Sequence, residues 1–216
     1  MNGKAGVLID IVLPRRSARA ERIVTLGPPG TSSEAAARYL DRRLTAEHGC
    51  HSTTALYDAY EDAAAALCAG DGSMLLVANA YAGINEFYMD TRLSLAGAFV
   101  FDTPRYGLAT LAGTKVEGQV RVASHPAPIP LIEQLIHPGL RVTEVVRVNS
   151  TSAAAAAVAK RSVDLALTTE PAAKEHGLSF VTATRNIRML WSVFTPSTRS
   201  RRERLDDSLA HVLEDY

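Results

Sequence analysis

Between Thr25 and Leu40 the chain reads TLGPPGTSSEAAARYL, and its centre is made of groups that hydrogen-bond anions. Gly27, Pro28, Pro29 and Gly30 are followed by three hydroxyls in a row, Thr31, Ser32 and Ser33, and then by an alanine-rich helical sequence. The first turn of a helix carries open backbone N–H groups and the positive end of the helix dipole, so hydroxyls there make a seat for negative charge. No Gly-Lys-Ser/Thr follows, so this is not a phosphate P-loop, and a carboxylate fits better. Thr31 and Glu34 also stand at capping-box spacing, in which the two side chains satisfy backbone N–H groups rather than a ligand.

The device recurs about 120 residues later. RVNSTSAAAAAVAK gives Asn149, Ser150, Thr151 and Ser152 ahead of a second alanine run. A third segment, VASHPAP, sets Ser124 and His125 where a proline stops a strand. Ligands of open α/β sheets lie at the C-terminal ends of strands. Two matched helix starts therefore predict two α/β lobes, each offering an anion seat to a cleft between them, with a small dicarboxylate as the ligand.

The elements that must position these groups alternate. RIVTL reads as a strand into the helix of SSEAAARYLDRRL, and TTALYDAYEDAAAALCAG as a helix ending near Gly70. SMLLVAN is a fully apolar strand, and SLAGAFVFDTPRYGLAT is rich in β-formers. VRVASH, VTEVVRV, VDLALT, LSFVTA and MLWSVF are further strands; PLIEQLI, the second alanine run and EPAAKEHG are helices. Such alternation predicts parallel sheets with helices on both faces. Alanine is the best helix former and lets helices sit close on a sheet.

Bulk properties narrow the classes. The 216 residues, 47% hydrophobic with formal net charge +0, carry no basic excess for a nucleic-acid partner. No run reaches the roughly 18 apolar residues of a membrane span. Cys50 and Cys68 lack metal or redox spacing, and the crowding of Glu47, Cys50 and His51 has no second ligand pair, so no metal site is expected and EHGCH reads as a surface loop. A reduced cytoplasmic setting follows. The VLIDIVLPRR start has Asp10 inside its apolar run and arginines after it, unlike a signal peptide.

Taken in order, these segments resemble the prephenate dehydratase domain, a two-lobed α/β fold of the periplasmic-binding-protein type with a cleft between the lobes. LGPPGTSSEAAA is similar to that family's Gly-Pro-x-Gly-Thr-Phe-Ser-Glu signature, ASHP to its Ser-His-Pro, and STSAAAAAV to its Ser-Thr-x-x-Ala-Ala stretch. The resemblance implies a first lobe of residues 22–105 with 185–196 and a second of 106–184, flanked by an extension (1–21) and a tail (197–216). The departures are informative. The dehydratases carry Pro-x-Glu-Asn-Ser where this chain reads VANAYAGINEFYM, without the glutamate. They carry Thr-Arg-Phe on the last strand, where Met189 and Leu190 stand here; Thr184-Arg185 lies upstream and does not inherit the role. TLGPPGTSSE, AYAGINEFYM, DTPRYGLA, SHPAPI, VNSTSAAA and WSVF look like a narrower branch, the non-aromatising prephenate decarboxylases of bacilysin, anticapsin and aeruginosin type pathways. Asn79 falls where at least one member carries histidine.

That resemblance implies prephenate as substrate and decarboxylation with the ring hydroxyl kept. It implies no cofactor, because the ring alkene can receive the electrons, and a possible homodimer. Substrate-binding candidates are Thr31, Ser32, Ser33, Asn79, Arg105, Ser124, Asn149, Ser150, Thr151 and Ser152. Candidate proton donors are His125, Tyr81, Tyr88 and Tyr106. Each tyrosine reads equally as a buried aromatic tied to a backbone group, His125 as a turn-bonding strand end, and Arg105 as a solvated or lobe-bridging cation. Two other functions compete: a dehydratase making phenylpyruvate, against which the missing Thr-Arg-Phe counts, and a non-catalytic binding module of the same fold.

Overall fold

The structure, a computed structural model, describes residues 21–49 and 51–197; Cys50, the expected extension up to residue 20 and the expected tail from residue 198 lie outside them. In chain order the elements are β1 (Glu21–Leu26), α1 (Ser32–His48), β2 (Ser52–Tyr57), α2 (Tyr60–Ala69), β3 (Met74–Ala78), α3 (Ile84–Met89), β4 (Leu93–Asp102), β5 (Tyr106–Leu111), β6 (Gly118–Ser124), α4 (Leu131–Leu135), β7 (Leu140–Arg147), α5 (Thr151–Ala159), β8 (Leu165–Thr169), α6 (Glu170–Glu175), β9 (Leu178–Phe180) and β10 (Arg188–Pro196). They form two five-stranded sheets, ordered β2-β1-β3-β10-β4 and β7-β6-β8-β5-β9. The class is α/β. No helix among the described residues is long and apolar enough to cross a membrane.

Two expectations are corrected. TTALYDAY is not helical: Ser52–Tyr57 is an edge strand beside β1, and the helix starts only at Tyr60. The β-branched pair Thr53-Thr54 favours that outcome. The sheets are also mixed rather than parallel. β1 and β3 run parallel, but β10 is antiparallel to β3, with Trp191 opposite Ala78 and Phe194 opposite Leu75. In the second sheet β6 is parallel to both β7 and β8, while β5 is antiparallel to β8 and β9. Neither β5 nor β10 is entered through a crossover helix, the connection that parallel neighbours require.

The described chain divides into two compact units, one holding 21–25, Leu40–Val100 and 190–197, the other Leu26–Tyr39 and Phe101–Met189. Segment 26–39, expected in the first lobe, thus groups with the second unit. Its bonds there explain this: the Thr169 hydroxyl donates to the Gly30 carbonyl (2.7 Å), Ser32 meets Tyr106, and Tyr39 stacks on Phe101.

The second unit's sheet has two chemically different faces. Ala109, Ala123 and Ala166 pack with Ala154, Ala155 and Val158 of α5 and Ala172 and Ala173 of α6. Leu108, Val122, Leu165 and Leu167 alternate with them along the strands and pack with Leu131 and Ile132 of α4. Strand periodicity of two sorts small from large, so α5 lies on a floor of methyl groups. In the first unit the buried apolar residues include Ile23, Val24, Leu67, Leu75, Leu76, Val77, Trp191, Val193 and Phe194.

Candidate active site

In the second unit the glycine-proline turn delivers the start of α1, and the expected capping pair forms with its return bond displaced by one residue, from Thr31 to Gly30. Thr31 Oγ1 accepts the Glu34 N–H (3.3 Å), and Glu34 Oε2 accepts the Gly30 N–H (2.7 Å). Thr31 and one backbone donor of the expected anion seat are therefore engaged internally. Gly30 has φ +83°, and a Cβ there would lie 3.1 Å from Glu175 Oε2 and 3.3 Å from Ala172 backbone atoms. Gly30→Ala is expected to lose about 1–2 kcal/mol from the left-handed backbone alone, read as a lower urea midpoint at unchanged slope.

Ser32 and Ser33 are both buried, and the Ser32 hydroxyl is 2.9 Å from the Tyr106 hydroxyl. Burial pushes the Tyr106 phenol upward against the smaller, opposite pull of Ser32. Tyr106 thus holds its proton inside the fold. At the end of β6 the Ser124 hydroxyl donates to the His125 carbonyl (2.8 Å). His125 Nδ1 accepts the Ala127 N–H (3.2 Å), which leaves the ring proton on Nε2. Burial lowers the His125 pKa below its ordinary 6.5. Near neutral pH it is a neutral Nε2–H donor, suited to hold an oxygen and poorly suited to act as an imidazolium acid.

The sign of the linked stability follows. The unfolded chain binds this proton more tightly, so folding stability is complete above about pH 6.5 and declines as pH falls toward the lowered value. Unfolding titrations of wild type and His125→Gln between pH 5 and 8 should diverge only on the acid side, with wild type losing more.

At the start of α5, Ser150 is the N-cap and accepts the Ala153 N–H (3.0 Å). Asn149 is exposed. Thr151 is buried, its carbonyl accepts the Thr168 hydroxyl (2.7 Å), and its own Oγ1 has no partner. Ser152 Oγ lies 3.2 Å from Nε2 of His176, a residue that sequence reasoning passed over. Arg105 forms an exposed, two-pronged pair with Glu170 of the same unit, at 2.8 and 3.1 Å. The upstream Arg185 bonds Gln134 (2.6 Å).

In the first unit, Asn79 directly follows β3, and its N–H donates to the Leu190 carbonyl (3.0 Å). The Tyr81 hydroxyl donates to Glu61 Oε1 (2.5 Å). That bond, with burial and the Glu61 charge behind it, pushes the phenol up to about 12. Tyr88 contacts Ser192, which was also missed, and Asn79; on β10, after the exposed Arg188, Met189 of the second unit and Leu190 of the first are half-buried. No cluster of metal-ligating side chains occurs among the described residues.

Both hydroxyl-bearing helix starts, with Ser124, His125 and His176, thus belong to the second unit, which corrects the expectation of one such start in each lobe, while the first unit contributes the Asn79 amide with Tyr81, Tyr88 and Ser192. Such a set binds anionic oxygens and is short of strong acids. The prephenate dehydratase family model matches residues 23–188. A prephenate decarboxylase of Planktothrix agardhii is 35% identical over 198 residues, covering 90% of this chain and 98% of its own. Among solved structures, a prephenate dehydratase of Arthrobacter aurescens in complex with L-Phe superposes with a TM-score of 0.61 at 17% identity, over 82% of this chain and 60% of that one. A periplasmic substrate-binding protein of a Coxiella burnetii ABC transporter gives 0.52 at 16%, over 86% and 88%. The chain belongs to the prephenate dehydratase family, on the side of its prephenate decarboxylase relatives.

Proposed function

We propose that the protein decarboxylates prephenate without aromatising it. What carries the reading is the likeness to a prephenate decarboxylase across nearly the full length of both chains. The donor set fits. Prephenate has a ring carboxylate, a pyruvyl carboxylate and an allylic hydroxyl, and hydroxyl-bearing helix starts with a neutral His125 suit anionic oxygens. Breaking the ring C–CO2 bond frees an electron pair. The pair shifts through the adjacent ring alkene as a proton adds to its far carbon, CO2 departs, and the C–OH bond stays intact. The alkene is the electron sink, so the reaction proceeds without a cofactor. The product is a dihydro-4-hydroxyphenylpyruvate, made in the cytoplasm by a homodimer for a peptide antibiotic or related secondary metabolite.

Proton NMR of purified, chelator-dialysed protein incubated with prephenate tests this. The expected product is a non-aromatic diene that keeps its carbinol proton. Phenylpyruvate as the main product would make the protein a dehydratase, and saturable binding with no product would make it a binding module.

A further inference from the structure

We infer that Ser192 is a positioning residue that keeps the Tyr88 proton out of the reaction; the inference rests on the function proposed above. Along β10 the side chains alternate, so Ser192 and Phe194 share one face. Tyr88 of α3 lies over that face, its ring edge-on to Phe194 at 5.1 Å and 69° and its hydroxyl 2.8 Å from Ser192 Oγ. Ser192 Oγ donates to Asn79 Oδ1 (2.9 Å), and Asn79 Nδ2 donates to the Tyr88 oxygen (3.4 Å). The three groups close a circuit.

Counting protons fixes its direction. A serine hydroxyl has one proton, and here it goes to Asn79, so Tyr88 must be the donor in its bond to Ser192. Turning the Asn79 amide over reverses the circuit: Nδ2 donates to Ser192, Ser192 to Tyr88, and Tyr88 to Oδ1. In both senses the single Tyr88 proton stays within the ring. Ser192 is 0% exposed, whereas Tyr88 is 39% exposed and Asn79 half-buried, so the phenol and the amide are the members of the trio that a ligand or solvent can reach.

A loose proton there is harmful to this reaction. Were an acid to protonate the allylic hydroxyl, the C–O bond would break as the C–CO2 bond breaks, and the freed pair would complete an aromatic ring. Prephenate plus that proton would yield CO2, water and phenylpyruvate, the acid recovering its proton from solvent. Asn79 can hold an oxygen through its second amide N–H, but an amide does not give up a proton at neutral pH. Ser192 enforces this by tying the tyrosine to the amide.

Two measurements test it. Ser192→Ala removes two of the circuit's three bonds and leaves the phenol only the long 3.4 Å contact with Asn79, and the phenylpyruvate share of turnover should rise at least about tenfold. It should return to the wild-type level in Ser192→Ala/Tyr88→Phe. A folded Ser192→Ala protein with an unchanged product mixture overturns the inference. Without substrate, proton NMR of wild type should show a slowly exchanging tyrosine hydroxyl proton that vanishes in Tyr88→Phe and in Ser192→Ala. Its absence from wild type, or its survival in Ser192→Ala, overturns the circuit. Failure of wild type to form the non-aromatic diene from prephenate strikes the proposed function instead, and leaves this second measurement to be read on its own.

Discussion

Met189→Thr together with Leu190→Arg is expected to divert turnover toward phenylpyruvate, raising its rate by about 10²-fold over the wild-type background. The two side chains stand half-buried on β10, the strand that the sequence resemblance matches to the dehydratases' threonine–arginine pair. Leu190 faces Asn79 across the ladder, because Trp191 pairs with Ala78 and the Asn79 N–H bonds the Leu190 carbonyl. Directly opposed residues point to the same face of a sheet, so an arginine at 190 brings guanidinium donors to the side of Asn79. The ladder uses main-chain atoms and survives the change. Donors at that spot stabilise charge on a departing oxygen, the step a non-aromatising enzyme must prevent. The check is the ratio of phenylpyruvate to dihydro product by NMR. A folded double variant that still makes only the dihydro product would show that restraint lies elsewhere.

The largest expected loss of stability comes from Trp191→Ala, about 3–5 kcal/mol. Trp191 is 0% exposed, on the face of β10 opposite Ser192, and belongs to the strand that joins β3 to β4. Its indole N–H has no hydrogen-bond partner. Volume therefore carries the effect, and Trp191→Phe, which leaves a smaller cavity, should cost less than Trp191→Ala. Denaturant titration of both variants separates the two; equal losses would mean that the indole nitrogen has a partner after all.

Much of the architecture is legible because its signals are local. The apolar runs of β3 and β8, the alanine runs of α1, α2 and α5, and the capping pair Thr31/Glu34 each declare themselves within a few residues. β2 misleads because STTALY runs without a break into an alanine helix, and its strand state comes from the neighbour it pairs with. α3 is six residues long with no side-chain cap, too short to show a period. The site is harder still. Ser192 is one small hydroxyl in an apolar strand, and its partners lie 104 and 113 positions away. The Thr169–Gly30 bond spans 139. Nothing in a window of sequence marks such pairs; only the strand order brings them together. The hydroxyl-rich helix starts are readable in the sequence, but not which hydroxyls the fold uses internally: Thr31 and Ser150 in caps, Ser32 against Tyr106, Ser152 against His176.

The methyl-lined floor beneath α5 acts as a ruler. With alanines on both sides of the contact, the standoff between helix and sheet is set by the thinnest side chains that still have a Cβ. Ser150, Thr151 and Ser152 ride on the end of that helix, so their height above the strands is fixed by what is missing below them. A bulkier residue at Ala109, Ala123 or Ala166 would lift the hydroxyls without touching one of them.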